Sequence, residues 1–415
     1  MFLVFVARAT FSKLYLLYTF FIRIALRSLK RKPSMSKHLK LFTPGPGDVG
    51  EEVLEAMATP VLRHYGPDWM EIYNETLALL RKFFNTQNDL FMVPGPASAL
   101  LDMAIGSLVR SGEKVVIGSN GFFGDRLNDI AQGYGAVIVP FTAPLGQPLD
   151  PDLLRTLLRE NPDVQVVAFV HHETGTTVMN PLRELAAVAR EAGKVTVVDT
   201  VSSLGGAELR VDDWGIDVCI TAANKCLEAV PGLSFISVGP RAWELVDRNP
   251  DRKHGWYLNL AVWRKYATEW GAWHPSPVTL PSSNVLAVRA SMRRIVQGGL
   301  EAHFAKYTRA SQTVRRELEK LGLEMFVPEA YASPVVTAVC RRPEFEVPEL
   351  SQWLAEQREI AIGGAFGPLA GKIFRVGHLG KAAEPEYLED FLSAMKEFLS
   401  YKKVPLPVAQ PADLG

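Results

Sequence analysis

Six short apolar runs between Lys114 and Val238 set the strongest limit on what this chain can fold into. They are KVVIG (114–118), AVIV (136–139), VQVVAFV (164–170), VTVV (195–198), VCIT (218–221) and LSFISV (233–238). A strand with one face in water alternates apolar and polar residues, whereas a nearly continuous run belongs to a sheet covered on both faces. Helical patterns fall between the first four runs and before them, near residues 97–110, 124–133, 151–160 and 181–192. Pro151 and Pro181 stand at the starts of two of these, where the missing N–H costs a helix nothing. The alternation predicts an α/β fold with a largely parallel sheet, and such sheets bind ligands outside the carboxyl ends of their strands.

After Val238 the pattern changes. Residues 240–281 are rich in Trp, His and Pro and read as loops and short helices. A long helix is expected from about Ser283 to Leu321, broken at Gly298–Gly299. Beyond it come the strand-like Pro334–Cys340, a helix around 349–359, a Gly-rich turn at Gly363–Gly367, the strand-like Ile373–Val376 and a closing amphipathic helix at 385–400. The expected division is an N-terminal extension (1–40), a large domain (41–300), a small α+β domain (301–402) and a Pro-rich tail (403–415).

Lys+Arg and Asp+Glu both total 45, so no overall positive field exists to attract nucleic acid. The charge is uneven, however: nine basic residues precede the first acid, Asp48. That leader is apolar and aromatic, but its stretch from Leu14 to Ile22 is too short to span a bilayer, which takes about 20 residues. MSKHLKLFTPGP, from Met35, reads as the opening of a cytoplasmic enzyme and makes residues 1–34 an upstream extension; an organellar transit peptide or an interfacial helix is the alternative. Cys219, Cys226 and Cys340 lack metal-ligand spacing and suit a reducing compartment.

The expected strand ends carry the chemistry. His171, His172, Glu173 and Thr174 follow one run; Asp199, Ser202 and Ser203 follow the next; Asn224 and Lys225 follow the third. An Asp and a Lys brought to one sheet edge suit pyridoxal 5'-phosphate, which needs a lysine for its Schiff base and a carboxylate to keep its pyridine nitrogen protonated. Singly, each residue has a plainer reading: Lys225 as a solvated loop residue, Asp199, Thr174 and Ser98 as helix caps, Phe123 as core, Arg375 as half of an internal ion pair. His172 and His378 read as structural histidines, and Cys226 as a small buried residue.

VVDTVSSLGG (197–206) and TAANKCLEAVPGLSFISV (221–238), with TPGP (43–46) and FRVGHLG (374–380), resemble the class V aminotransferases of fold type I. The resemblance runs from about Leu41 to Leu399 and implies a mostly parallel seven-stranded sheet with a small C-terminal domain. Within the class it is similar to the branch of alanine/serine–glyoxylate, 2-aminoethylphosphonate–pyruvate and pyridoxamine–pyruvate aminotransferases. It implies that Lys225 is the Schiff-base lysine and Asp199 the pyridinium partner. Thr174 would bond the cofactor's phenolic oxygen, Phe123 would stack on its ring, and Ala97, Ser98 and Asn224 would hold its phosphate. Ser276 would reach that phosphate from a neighbouring subunit, and Arg375 would hold the substrate carboxylate. The chain departs from the family at Gly95-Pro96-Ala97-Ser98, where Pro96 removes an N–H from the usual Gly-Ser-Gly cradle. Phe366 stands where pyridoxamine-recognising relatives carry a second arginine.

The resulting expectation is a homodimeric aminotransferase moving an amino group from alanine or serine to glyoxylate or pyruvate. Two alternatives on the same fold stay open: a 2-aminoethylphosphonate–pyruvate aminotransferase, needing cations such as Arg63, Arg126 or Lys253 near the cleft, and a lyase or cysteine desulfurase, needing a reactive thiol. Cys340, inside an apolar run, is poorly suited to that role. A membrane-anchored binding protein would leave the Asp199–Lys225 pair unexplained.

Overall fold

The computed structural model describes residues 38–248 and 255–405, so the leader, Lys253, His254 and most of the Pro-rich tail lie outside the described residues. The described residues from Lys40 to Pro405 pack as one unit. Its centre is a seven-stranded sheet built from β1 (Asp89–Pro94), β2 (Lys114–Ser119), β3 (Val137–Thr142), β4 (Val166–Val170), β5 (Val195–Asp199), β6 (Val218–Ala222) and β7 (Leu233–Val238). The strand order is β1-β7-β6-β5-β4-β2-β3. β7 runs antiparallel to β1 and β6 on either side of it, and the other neighbouring pairs of the sheet are parallel.

Both faces are covered, as the continuous runs require. Val116, Val167, Val198 and Phe235 pack into one core with Trp69, Leu80, Phe84 and Met292. Their sequence neighbours Val115, Ile117, Val166, Val197 and Ile236 pack into a second core with Leu100, Leu101, Leu127 and Trp263. This period-two division puts one face under α1 (Glu51–Met57), α2 (Pro67–Phe84) and the later helix α9 (Ser282–Gly298), the other under α3 (Ala97–Leu108) and α4 (Phe122–Gly133). The helices α5 (Pro151–Glu160) and α6 (Leu182–Glu191) fall where they are expected, and Asp150 caps α5 by accepting from Asp152 N at 2.9 Å. The described residues between 240 and 281 include two helices, α7 (Pro240–Asp247) and α8 (Leu260–Glu269).

The expected break is present: α9 ends at Gly298 and α10 (Leu300–Lys320) begins after Gly299, whose φ of 87° favours glycine. A third core joins Tyr307, Val314, Phe345, Phe374, Phe391 and Phe398 from the C-terminal part with Phe42 from the N-terminal side. There β8 (Val336–Cys340) pairs antiparallel with β10 (Ile373–Gly377), and β9 (Ile360–Ile362) pairs parallel with Lys40–Phe42. Residues 40–44 thus join the C-terminal core through Phe42 and then meet Lys225 at Pro44 O.

Candidate active site

The carboxyl ends of β4, β5 and β6 are adjacent and in register, Val170 opposite Asp199 and Asp199 opposite Ile220. The chain therefore delivers His172 and Thr174, then Asp199, then Asn224 and Lys225 side by side. From β2 the chain goes outward to β3, and from β4 it proceeds the other way, so a topological switch point lies between β2 and β4. A cavity of about 430 Å³ opens there, lined by Ala97, Ser98, Phe123, Arg126, His172, Thr174, Asp199, Asn224 and Lys225 among others. That volume is within the range of small-ligand sites.

Lys225 Nζ donates to Pro44 O at 2.6 Å. The segment can approach so closely because residue 45 is glycine: a Cβ there would lie 2.1 Å from Nζ. Burial pushes the lysine down to about 8. Burial also pushes the Asp199 carboxyl up to about 6, against the bond from Val201 N at 2.8 Å and the charges of Arg126 and Lys225. Two groups that ordinarily carry full charges at neutral pH are thus held near the point of giving them up.

Thr174 Oγ1 donates to Ser202 Oγ at 2.9 Å, and its carbonyl accepts from Arg375 Nη1 at 2.7 Å. Arg375 Nε donates to Gly364 O at 2.7 Å, and its guanidinium lies 4.7 Å from the Phe366 ring centroid. Arg375 is buried without an ion pair among the described residues, and burial lowers it to about 10 against the pull of Glu173. Phe123 opens α4 beside Phe122. Ala97 and Ser98 open α3, and their own N–H groups precede the first intrahelical bond, which Ala99 N makes to Pro96 O. Ser276 is not among the lining residues: it is buried, and its hydroxyl donates to Val278 O at 2.7 Å.

Three residues outside the expected cofactor set also shape the site. Glu173 accepts from Phe123 N, Gly124 N and Gly175 N at 3.1, 3.0 and 2.8 Å, anchoring the first turn of α4 and with it Phe123. Burial raises its carboxyl to about 7. Arg126 lies on the cavity wall, donates to Ser98 Oγ at 3.1 Å and stacks 4.8 Å from the Phe123 ring centroid. Of the other cations considered for this cleft, Arg63 is exposed and pairs with Asp68. His172 also lines the cavity, and its buried Nε2 has no hydrogen-bond partner, which corrects the structural reading of this residue. His378 keeps the structural reading, with Thr337 Oγ1 and Pro334 O at its two nitrogens. Cys226 is fully buried and its thiol is pushed well up.

The arrangement fits pyridoxal phosphate. The cavity brings together a lysine of depressed basicity, a buried carboxylate, an aromatic ring, and an uncapped helix N-terminus beside an arginine.

The family profile "Aminotransferase class-V" matches residues 50–373. An uncharacterized aminotransferase of Methanocaldococcus jannaschii is 36% identical over 349 residues, covering 84% of this chain and 89% of the relative. The crystal structure of an alanine–glyoxylate aminotransferase from Nostoc sp. superposes with a TM-score of 0.85 at 31% identity, over 90% of this chain and 98% of that one. A ureidoglycine–glyoxylate aminotransferase from Bacillus subtilis gives 0.85 at 28% identity, over 91% and 97%. A site built for this cofactor at the carboxyl edge of this sheet agrees with all three, and the chain belongs to the class V aminotransferases, pyridoxal-phosphate enzymes of fold type I.

Proposed function

We propose that the protein transfers the amino group of a small amino acid, alanine or serine, to a small 2-oxo acid, glyoxylate or pyruvate, in two half-reactions at this cavity. The observation that carries the reading is the single cavity wall shared by Lys225 and Asp199. When bound, the cofactor supplies an electron sink for the carbanion formed at the substrate's α-carbon. Lys225 holds the cofactor and, once released, moves a proton at that carbon through Nζ; a lysine pushed down to about 8 has a usable free amine near neutral pH. Asp199 would pair with the pyridine nitrogen, whose positive charge would offset the carboxylate's burial. Thr174 would hold the phenolic oxygen, Phe123 would pack on the ring, and Asn224 with the α3 N-terminus at Ala97 and Ser98 would hold the phosphate. Arg126, beside Ser98, makes up for the N–H that Pro96 lacks. Arg375, fixed by two backbone carbonyls, turns the rest of its fork to the substrate carboxylate.

The assembly in this reading is a homodimer, with Ser276 serving the partner's phosphate site. The division near residue 300 separates a cofactor-holding part from a smaller part that brings Arg375. Three free cysteines, two of them buried, suit the cytoplasm. Among the described residues no helix is long and apolar enough to cross a membrane. Arg126 on the cavity wall favours one second reading, 2-aminoethylphosphonate with pyruvate, because a phosphonate needs a further cation. Cys340, half-buried in β8 with its thiol pushed up, speaks against a desulfurase.

Initial rates with alanine or serine against glyoxylate or pyruvate, with the products identified, test the proposal. Parallel double-reciprocal lines with pyruvate or hydroxypyruvate as the deaminated product are expected. Turnover with 2-aminoethylphosphonate alone would replace the first reading by the second.

A further inference from the structure

His172 is held in one tautomer. Its Nδ1 lies 3.1 Å from Ser202 O, and since a carbonyl only accepts, Nδ1 carries the proton and Nε2 carries a lone pair. Among the described residues nothing donates to that lone pair, although the side chain is buried and lines the cavity. Thr174 Oγ1, on the same cavity wall, spends its proton on Ser202 Oγ at 2.9 Å. An unsatisfied buried acceptor on a ligand cavity marks the place of a ligand's N–H or O–H. Lys225 and Arg375 both lie close enough to bear on the ring's charge, and with burial they keep the imidazole neutral, at about 4. Those same two residues are the ones assigned above to the substrate's reacting carbon and its carboxylate.

We infer that His172 is a specificity-determining residue, whose Nε2 accepts a hydrogen bond from a hydroxyl or N–H on the side chain of the amino donor. The inference rests on the aminotransferase reading and narrows its substrate class to hydrogen-bond-donating amino acids such as serine, in preference to alanine. An acceptor held neutral gains nothing from a methyl group, so the side-chain donor alone sets the preference.

The test compares 2-methylserine with 2-aminoisobutyrate, which differ by one hydroxyl and lack the α-proton, so binding is read without turnover. Each is titrated into the holoenzyme and followed by the visible absorbance of the cofactor. Wild type is expected to bind 2-methylserine about tenfold more tightly. Two variants separate the ring's nitrogens. His172→Asn places an amide N–H where Nδ1 donates to Ser202 and removes the acceptor, so the tenfold preference disappears. His172→Gln places an amide oxygen where Nε2 stands, so the preference is retained. Equal affinity of the two ligands for wild type, or an undiminished preference in His172→Asn, would overturn the inference while leaving aminotransfer intact. A holoenzyme that no amino acid converts would instead overturn the aminotransferase reading and this inference with it.

Discussion

Two clusters of buried charge sit within a few residues of each other on the Lys225 loop, and they are treated in opposite ways. Glu228, three residues past the lysine, accepts from Lys306 Nζ at 2.6 Å and from Arg294 and Tyr307, while Arg294 also reaches Glu52 at 2.7 Å. Burial alone would raise this carboxyl, but Lys306, His303 and the hydrogen bonds outweigh it and hold it down to about 2. His303 adds a bond to Cys226 O and Ser291 one to Leu227 O, so consecutive residues after Lys225 are fastened to α9 and α10. In and beside the cavity, by contrast, Asp199, Lys225, His172 and the adjoining Arg375 are each pushed toward their neutral forms, and none has an ion-pair partner among the described residues. The first cluster is complete within the chain and serves to hold the loop still. The second is complete only with a ligand, and its unmet charges mark the place of chemistry.

The largest difference between the clusters is expected from truncating the lysine. Lys225→Ala should lower turnover by more than about a thousandfold while circular dichroism and the unfolding midpoint stay near wild type. Retained multiple turnover would remove the lysine from its role. In the satisfied cluster, Glu228→Ala should cost about 1–3 kcal/mol in urea unfolding, because it leaves the buried Tyr307 hydroxyl without its acceptor and Lys306 without its carboxylate. The pH dependence has the matching sign: a carboxyl held at about 2, below its unfolded value near 4.5, contributes stability that is full above that value and lost as the pH falls toward 2. A Glu228→Ala protein with unchanged stability would show that the two clusters do not differ as described.

Arg375→Lys keeps the charge and removes the planar fork; kcat/KM for the amino donor is expected to fall about 10- to 100-fold, and no change would place the carboxylate elsewhere. The smallest effect concerns the cofactor-free protein. A lysine at about 8 when folded and near 10.5 when unfolded penalises folding below pH 8, and the penalty fades as the pH rises toward 10.5. Cofactor-free Lys225→Met should therefore be about 1–2 kcal/mol more stable than cofactor-free wild type at pH 7, with the gap closing near pH 10.5. A gap independent of pH would assign it to packing.

The six apolar runs made the sheet readable, because burial on both faces leaves no polar position to obscure the pattern. β1 escaped the same reading: DLFMVP opens with Asp89 and closes with Pro94, tolerable here because β1 is an edge strand with β7 on one side only. The three-residue strands Lys40–Phe42 and Ile360–Ile362 are too short to carry a period, and they pair across more than three hundred residues. Lys225, Asp199, Thr174, Phe123, Ala97, Ser98 and Asn224 share one cavity wall, whereas Arg375 reaches the site only through Thr174, and Ser276 does not line it. Glu173 and His172 are visible only as polar residues after a strand end and Arg126 only as one of three candidate cations, since a buried anchor, an unsatisfied histidine and a cavity arginine are defined by what surrounds them and not by spacing.

The most direct measurement is the absorbance spectrum of the purified protein supplied with pyridoxal phosphate, recorded before and after single amino acids are added without any acceptor. A visible band that one donor bleaches to the pyridoxamine form is expected, with a 2-oxo acid restoring it. Absence of any band, or a band that no amino acid bleaches, would contradict the account.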